Sequence, residues 1–188
     1  MATSSSELSG LIKKILSDIR VEVTEEIDRN FERQAFFNEA WQRRKSPAKG
    51  SGHLLLSSGE LRRSISSKSE GNSITFTSTL PYAAIHNGGG EIRVTERMKR
   101  YFWHRYYETT GSFKRRKDGG VSRSKHNLSL STEADFWKAM ALMKVGSSVK
   151  IPRRRFIGTS PQLEQAVREI IEENLTQYFT ETIRNIAK

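Results

Sequence analysis

The apolar positions near the start of the chain, Leu8, Leu11, Ile12, Ile15, Leu16, Ile19, Val23 and Ile27, recur at steps of three and four residues. That is the spacing of one helix face, and it predicts a first long element from about Ser6 to Phe37. Ser4 followed by Glu7 has the form of a capping box at its start. Unbroken, about 30 residues at 1.5 Å rise give roughly 45 Å, longer than a small compact domain needs. Such a helix is expected to pack on a partner. The other end of the chain repeats the pattern. Ser160-Pro161 places serine at a cap and proline at a first helical position, and Leu163, Val167, Ile170, Ile171, Leu175, Tyr178, Phe179, Ile183 and Ile186 mark the stripe that follows.

Between these helices the pattern is shorter and mixed. Gln42 to His53 lacks periodicity and reads as a loop. Leu54 to Ile65 is an apolar run broken at Ser58-Gly59, with Ser58 as a candidate cap for a helical turn over Glu60 to Ser64. Ser73 to Thr79 alternates Ile74 and Phe76 with small polar residues, a half-buried strand entered through Gly71-Asn72. Pro81 to Gly90 predicts a short helical turn that ends on a left-handed cap at Asn87 or Gly88.

An excursion runs from Thr95 to Val149. It predicts helices over Thr95 to Glu108 and Ala134 to Lys144, joined by a flexible, solvated loop. On the first, Met98, Tyr101, Phe102, Trp103, Tyr106 and Tyr107 cover roughly two thirds of the circumference. A helix apolar on most faces is buried on more than one side, and the second side is expected to be another subunit. Ile151-Pro152 and Phe156-Ile157-Gly158 flank Arg153, Arg154 and Arg155 in an extended segment. No internal repeat is present.

Composition narrows the class. At 188 residues the chain fits one domain over 1–188 with an insertion at about 95–149. A domain this long buries about 70% of its unfolded surface. It has no cysteine, which excludes disulfides, thiolate metal sites and thiol nucleophiles. No run of about 18 apolar residues exists to span a membrane. Met1 to Gly10 lacks the basic flank and apolar centre of a secretory signal, so synthesis is expected in the cytoplasm. The net charge of +11 favours polyanionic or acidic partners. It concentrates in Lys114, Arg115, Arg116, Lys117, Arg123 and Lys125, opposed only by Asp118.

Catalytic patterns are weak. His53, His86, His104 and His126 have no metal-ligand spacing, and a lone histidine such as His86 is more often a structural hydrogen-bonding residue. Glu25-Glu26 and Glu172-Glu173 are helix neighbours expected to face solvent. Ser46-x-x-Lys49 and Ser122-x-x-Lys125 lie in loops without the helix that acylating enzymes require. Gly88 to Gly90 lacks the Lys-Ser/Thr of a phosphate loop. No catalytic residue, cofactor or metal site is expected. Basic and aromatic residues interleave over Lys99 to Arg105 in a way that suits nucleic acid, but the apolar spread there favours burial. The Lys114–Lys125 loop suits DNA or an acidic partner surface.

Three segments in order resemble the phage virion morphogenesis, or tail-completion, family. After Trp41, Leu55-Leu56-Ser57-Ser58-Gly59-Glu60-Leu61-Arg62-Arg63-Ser64-Ile65 is similar to its Leu-x-x-Ser/Thr-Gly-x-Leu-x-x-Ser-Ile signature. Pro81-Tyr82-Ala83-Ala84-Ile85-His86-Asn87-Gly88 resembles Pro-Tyr-Ala-x-Ile-His-x-x-Gly, and Ile151-Pro152-Arg153-Arg154-Arg155-Phe156-Ile157-Gly158 resembles Ile-Pro-x-Arg-Pro-Phe-Leu-Gly. The likeness covers about Phe31 to Leu175. Arg155 departs from the family's proline, and the excursion is longer than in many relatives.

The resemblance implies an α+β fold, with long N- and C-terminal helices packed on a small antiparallel sheet. It also implies a structural assembly role at the head–tail neck, completing the tail and joining it to the head. Tail terminator, head–tail adaptor and DNA-binding protein are the alternatives. On this reading Tyr82, His86, Asn87, Arg154 and Phe156 hold strand ends and terminal helices in register, and the helix Thr95–Glu108 packs between subunits. The expected partners are further copies in a ring, taken as a hexamer, other neck and tail proteins, and passing DNA. The expected location is the virion, and the host cytoplasm during assembly.

Overall fold

A computed structural model describes residues 2–44 and 53–186. Most of the predicted loop Gln42–His53, and with it Ser46-x-x-Lys49, lies outside the described residues. The order is α1 (Ala2–Arg33), β1 (Ala35–Phe36), β2 (Glu39–Ala40), α2 (Glu60–Arg63), β3 (Ile65–Glu70), β4 (Ser73–Ser78), α3 (Ala83–Gly88), β5 (Gly90–Arg93), α4 (Glu96–Gly111), α5 (Lys125–Ala141), β6 (Ser148–Ile151) and α6 (Pro161–Ile186). This is α+β, with long terminal helices. Among the described residues, the single small sheet expected from the sequence is three two-stranded antiparallel ribbons, β1–β2, β3–β4 and β5–β6.

Helix α1 begins at Ala2, ahead of the predicted cap at Ser4, and stops at Arg33 rather than Phe37. Gln34 takes a left-handed φ of 57°. Its side-chain amide donates to the carbonyl of Phe31 (2.6 Å), a helix-end acceptor with no partner along the helix, and to that of Leu54 (3.0 Å) across the fold. The reversal lets Phe36 and Trp41 fold back onto α1, where both are buried. The core is Ile27, Phe31, Trp41, Leu61, Ala83 and Phe156, with Val23, Ile65, Phe76 and Leu80 packed around it. Trp41 meets Phe31 edge-on at 5.6 Å, and Phe31 meets Phe156 at 5.1 Å.

Helix α6 lies on α1, with Asn174 buried between them and donating to Asp18 at 3.0 Å. Ser160 and Pro161 open α6 as predicted, the Ser160 hydroxyl accepting from the amide of Leu163 at 3.1 Å. Helix α2 is capped by Gly59 at φ 69°. Ser58 only accepts locally from Glu60 N (3.3 Å), so it is not the cap. Strand β4 matches the predicted strand. Its partner β3, with Ile65 as its only large apolar residue, carries no alternation and was not predicted.

The excursion is a helical hairpin on a β stalk. Gly90 pairs with Ile151 and Arg93 with Ser148, so β5 and β6 run together into α4 and out of α5. Helix α5 begins at Lys125, nine residues before the predicted start, because Ser124 caps it by accepting from Asn127 N at 3.3 Å. Among the described residues, no helix is long and apolar enough to cross a membrane.

Candidate assembly site

The three quoted segments meet at the foot of the stalk. Helix α3 presents Asn87, whose side-chain oxygen accepts from the amides of Phe156 (2.9 Å) and Ile157 (3.0 Å). Its amide nitrogen donates to the carbonyl of Ile157 at 3.0 Å. One asparagine thereby satisfies three backbone groups of an extended segment that has no strand partner. Arg154 N donates to His86 O at 2.8 Å, and buried Arg154 Nε donates to Gln42 O at 3.0 Å. Trp41 Nε1 donates to Arg155 O at 2.6 Å, and Asn30 Nδ2 to Phe156 O at 3.3 Å. Arg155 fills the family's proline position, and its guanidinium lies over the ring of Phe36 at 4.2 Å.

A glycine is required at the centre of this knot, one residue after the predicted cap. Asn87 and Gly88 are helical, and Gly89 carries the positive φ of 73°. A Cβ there would lie 3.0 Å from Arg153 N and 3.1 Å from Arg153 Cα, so a larger residue would push the arginine segment back from α3 as well as strain the backbone. Pro152 follows β6 and ends its ladder, since proline offers no amide hydrogen. Pro81 and Tyr82 stand at the surface, Tyr82 within 3.4 Å of Glu60 Oε2.

His86 is half-buried, and its Nδ1 has no hydrogen-bond partner among the described residues. Burial, and then the charge of Arg154, lower its pKa below the ordinary value, which keeps the imidazole neutral. The guanidinium of Arg154 is in turn lowered by burial and by Arg44. An adjacent groove of about 390 Å³ is lined mainly by apolar side chains such as Leu16, Ile19, Val23 and Phe36, and His86 is outside it. The acid pair Glu25-Glu26 does not simply face solvent. Glu26 is buried, bonded to Arg29 at 2.8 Å and to Arg33. Among the described residues, no group of three or more His, Asp or Glu side chains could hold a metal.

The stalk carries the predicted aromatic helix outward. Phe102 stacks on Trp137 at 6.1 Å inside the hairpin and is buried there, so it belongs to the hairpin's own core. Ala134 and Ala141 on α5 are buried too, their small side chains letting the helices approach. Trp103 and Tyr106 are half-buried, while Tyr101 and Tyr107 remain 53% and 64% exposed. Trp103 stacks on Tyr107 at 5.8 Å, forming an aromatic ledge.

At the hairpin tip, Lys114, Arg115, Arg116, Lys117 and Arg123 are exposed as expected. The backbone of this basic loop forms a hydrogen-bonded turn. Arg115 bridges Val121, and buried Asn127 holds the carbonyls of Lys114 (2.8 Å) and Ser122 (2.6 Å) and the amide of Lys114 (2.9 Å). Lys125 belongs to α5. The sequence reading missed Asn30, Gln34, Asn127 and Asn174. Its only available signal was a polar residue at an apolar position of a helix, as at Asn30 beside Ile27 and Phe31.

The phage virion morphogenesis family matches the chain over residues 12–176. No curated protein and no solved structure matches it. The chain belongs to the phage virion morphogenesis family, and its role lies in building the phage particle.

Proposed function

We propose that this member of the phage virion morphogenesis family completes the tail and joins it to the head at the neck, as a ring of identical subunits. Its work on this reading is mechanical, carried by surfaces that copies and neighbours cover, and needs no catalytic group. The observation that carries it is the outward hairpin. A stalk clamped at its foot holds Tyr101 and Tyr107 away from the core that could have buried them. Exposed aromatics on a fixed support are what subunit interfaces use, because they offer large area at low entropy cost.

The test is assembly without the protein. Particles made in its absence should accumulate as separate heads and tails, and adding purified protein should join them. Joined, infectious particles formed without it would overturn the neck role.

A second reading, contact with passing DNA, is supported by the exposed basic tip. Binding to duplex DNA would then weaken with a log–log salt slope of about −0.9 per phosphate neutralised.

A further inference from the structure

The exposed apolar residues and the charges are distributed unevenly. Among the described residues, six of the eleven exposed large hydrophobics lie on the hairpin, and four more on α1 and α6: Leu8, Val21, Phe179 and Ile183. The two bodies carry opposite charge. Residues 95–149 hold twelve basic and five acidic residues, a net +7, whereas α1 and α6 together hold seven basic and twelve acidic, a net −5. One protomer therefore displays two apolar surfaces of opposite sign, on elements that do not pack extensively on one another.

The stripes match in detail. On α4, the half-buried or buried Met98, Phe102, Arg105 and Thr109 form the face toward α5, which leaves Arg97, Arg100, His104 and Tyr107 exposed on the other side. On α6 the exposed stripe is Glu169, Glu172, Thr176 and Phe179. Both run in steps of three, four and three, so each stripe is about 15 Å long at 1.5 Å per residue. Laid parallel, they place Arg97 on Glu169, Arg100 on Glu172, His104 on Thr176 and Tyr107 on Phe179. Steps of three and four keep the four positions on one face of each helix, so the facing pairs stay in register along it. Among the described residues Arg97, Arg100, Glu169 and Glu172 form no ion pair within the protomer, though Gln165 donates to Glu169 at 2.8 Å.

We infer that α4 of one copy docks in parallel on α6 of a second copy, through Arg97–Glu169, Arg100–Glu172 and Tyr107–Phe179. The contact is heterologous, because the surface given differs from the surface received. Repeated, it generates a closed ring when the rotation closes and a filament when it does not. It rests on the reading that copies of this chain assemble, and it assigns the two faces that meet.

The test uses full-length protein and sedimentation across a concentration series. Three variants are compared with the unaltered chain: R97E/R100E, E169R/E172R and the four substitutions combined. Glutamate at 97 lies in the first turn of α4 and suits the helix dipole, and glutamate at 100 and arginine in α6 are good helix formers, so circular dichroism should be unchanged in all three. Each double variant should weaken association by about tenfold or more, since like charges then face each other. The combined variant should return to within about threefold of the unaltered chain, because opposite charges are restored across the contact. Association indifferent to the double variants, or weakened without rescue, overturns this pairing and leaves ring assembly standing through another surface. An unaltered chain that stays monomeric at every concentration overturns the pairing and the ring together.

Discussion

Asn87 and Phe156 are 69 residues apart in sequence and joined side chain to backbone, the asparagine oxygen accepting the Phe156 amide at 2.9 Å. Everything between them, the stalk and the hairpin, leaves the core and returns to it through this bond and its neighbours. Closing a loop of that length has an entropic cost that grows only slowly with length, so a few well-made hydrogen bonds suffice to fix the foot. Asn87→Ala removes all three bonds and should destabilise the fold by about 2–4 kcal/mol, read as a lower urea midpoint at unchanged slope. An unchanged midpoint would show that the clamp is not needed.

Gly89 combines a positive φ with a tight backbone contact. Ala at this position meets both a positive φ and the Arg153 backbone at 3.0 Å, so Gly89→Ala should cost about 2 kcal/mol or more. Gly71, also at positive φ but with open space around it, should tolerate alanine at about 1 kcal/mol. The contrast between the two midpoints separates the contact from the conformation.

His86 gives the knot a pH dependence. Its folded pKa lies below its unfolded value, so the unfolded chain binds the proton more readily. The stabilisation is complete above the unfolded pKa, about 6.5, and is lost as pH falls from there toward the lower folded pKa. The melting temperature of the unaltered chain should drop between about pH 7 and pH 5, and His86→Asn should flatten that part of the curve. Parallel curves for the two proteins would remove His86 from the account.

Much of this architecture was legible from spacing alone. The terminal helices, the strand expected over Ser73 to Thr79, helix α4 and the Ser160-Pro161 start follow from period and, for α6, from its capping residues. What was not legible depends on tertiary contact. Strand β3 has a polar sequence and exists because β4 pairs with it. Helix α5 starts early under the Ser124 cap, and the buried side chain of Asn127 in its first turn ties the tip to the helix. The end of α1 depends on Gln34 reaching Leu54, 20 residues on. At the candidate site, the quoted segments picked out Trp41, Asn87, Arg154 and Phe156, which do converge. They gave no hint of Asn30, the polar group beneath Phe156.

The aromatic core explains the spacing of those segments. Phe31 is fully buried and touches both Trp41 and Phe156. Phe31→Ala should destabilise by about 3–5 kcal/mol, and the loss should be shared with Phe156→Ala in a double-mutant cycle. Additive losses would show that the two rings act independently.

The central claim is that copies of this chain cover one another through the outward hairpin. The most direct measurement is molar mass by light scattering over a range of concentrations, for the full chain and for Tyr101→Ser/Tyr107→Ser. The full chain should give an integer multiple of 21.5 kDa, and the double variant should shift toward a single 21.5 kDa species with its helix content intact. A full chain of 21.5 kDa at every concentration, or a multiple that the tyrosine changes leave untouched, would contradict the account.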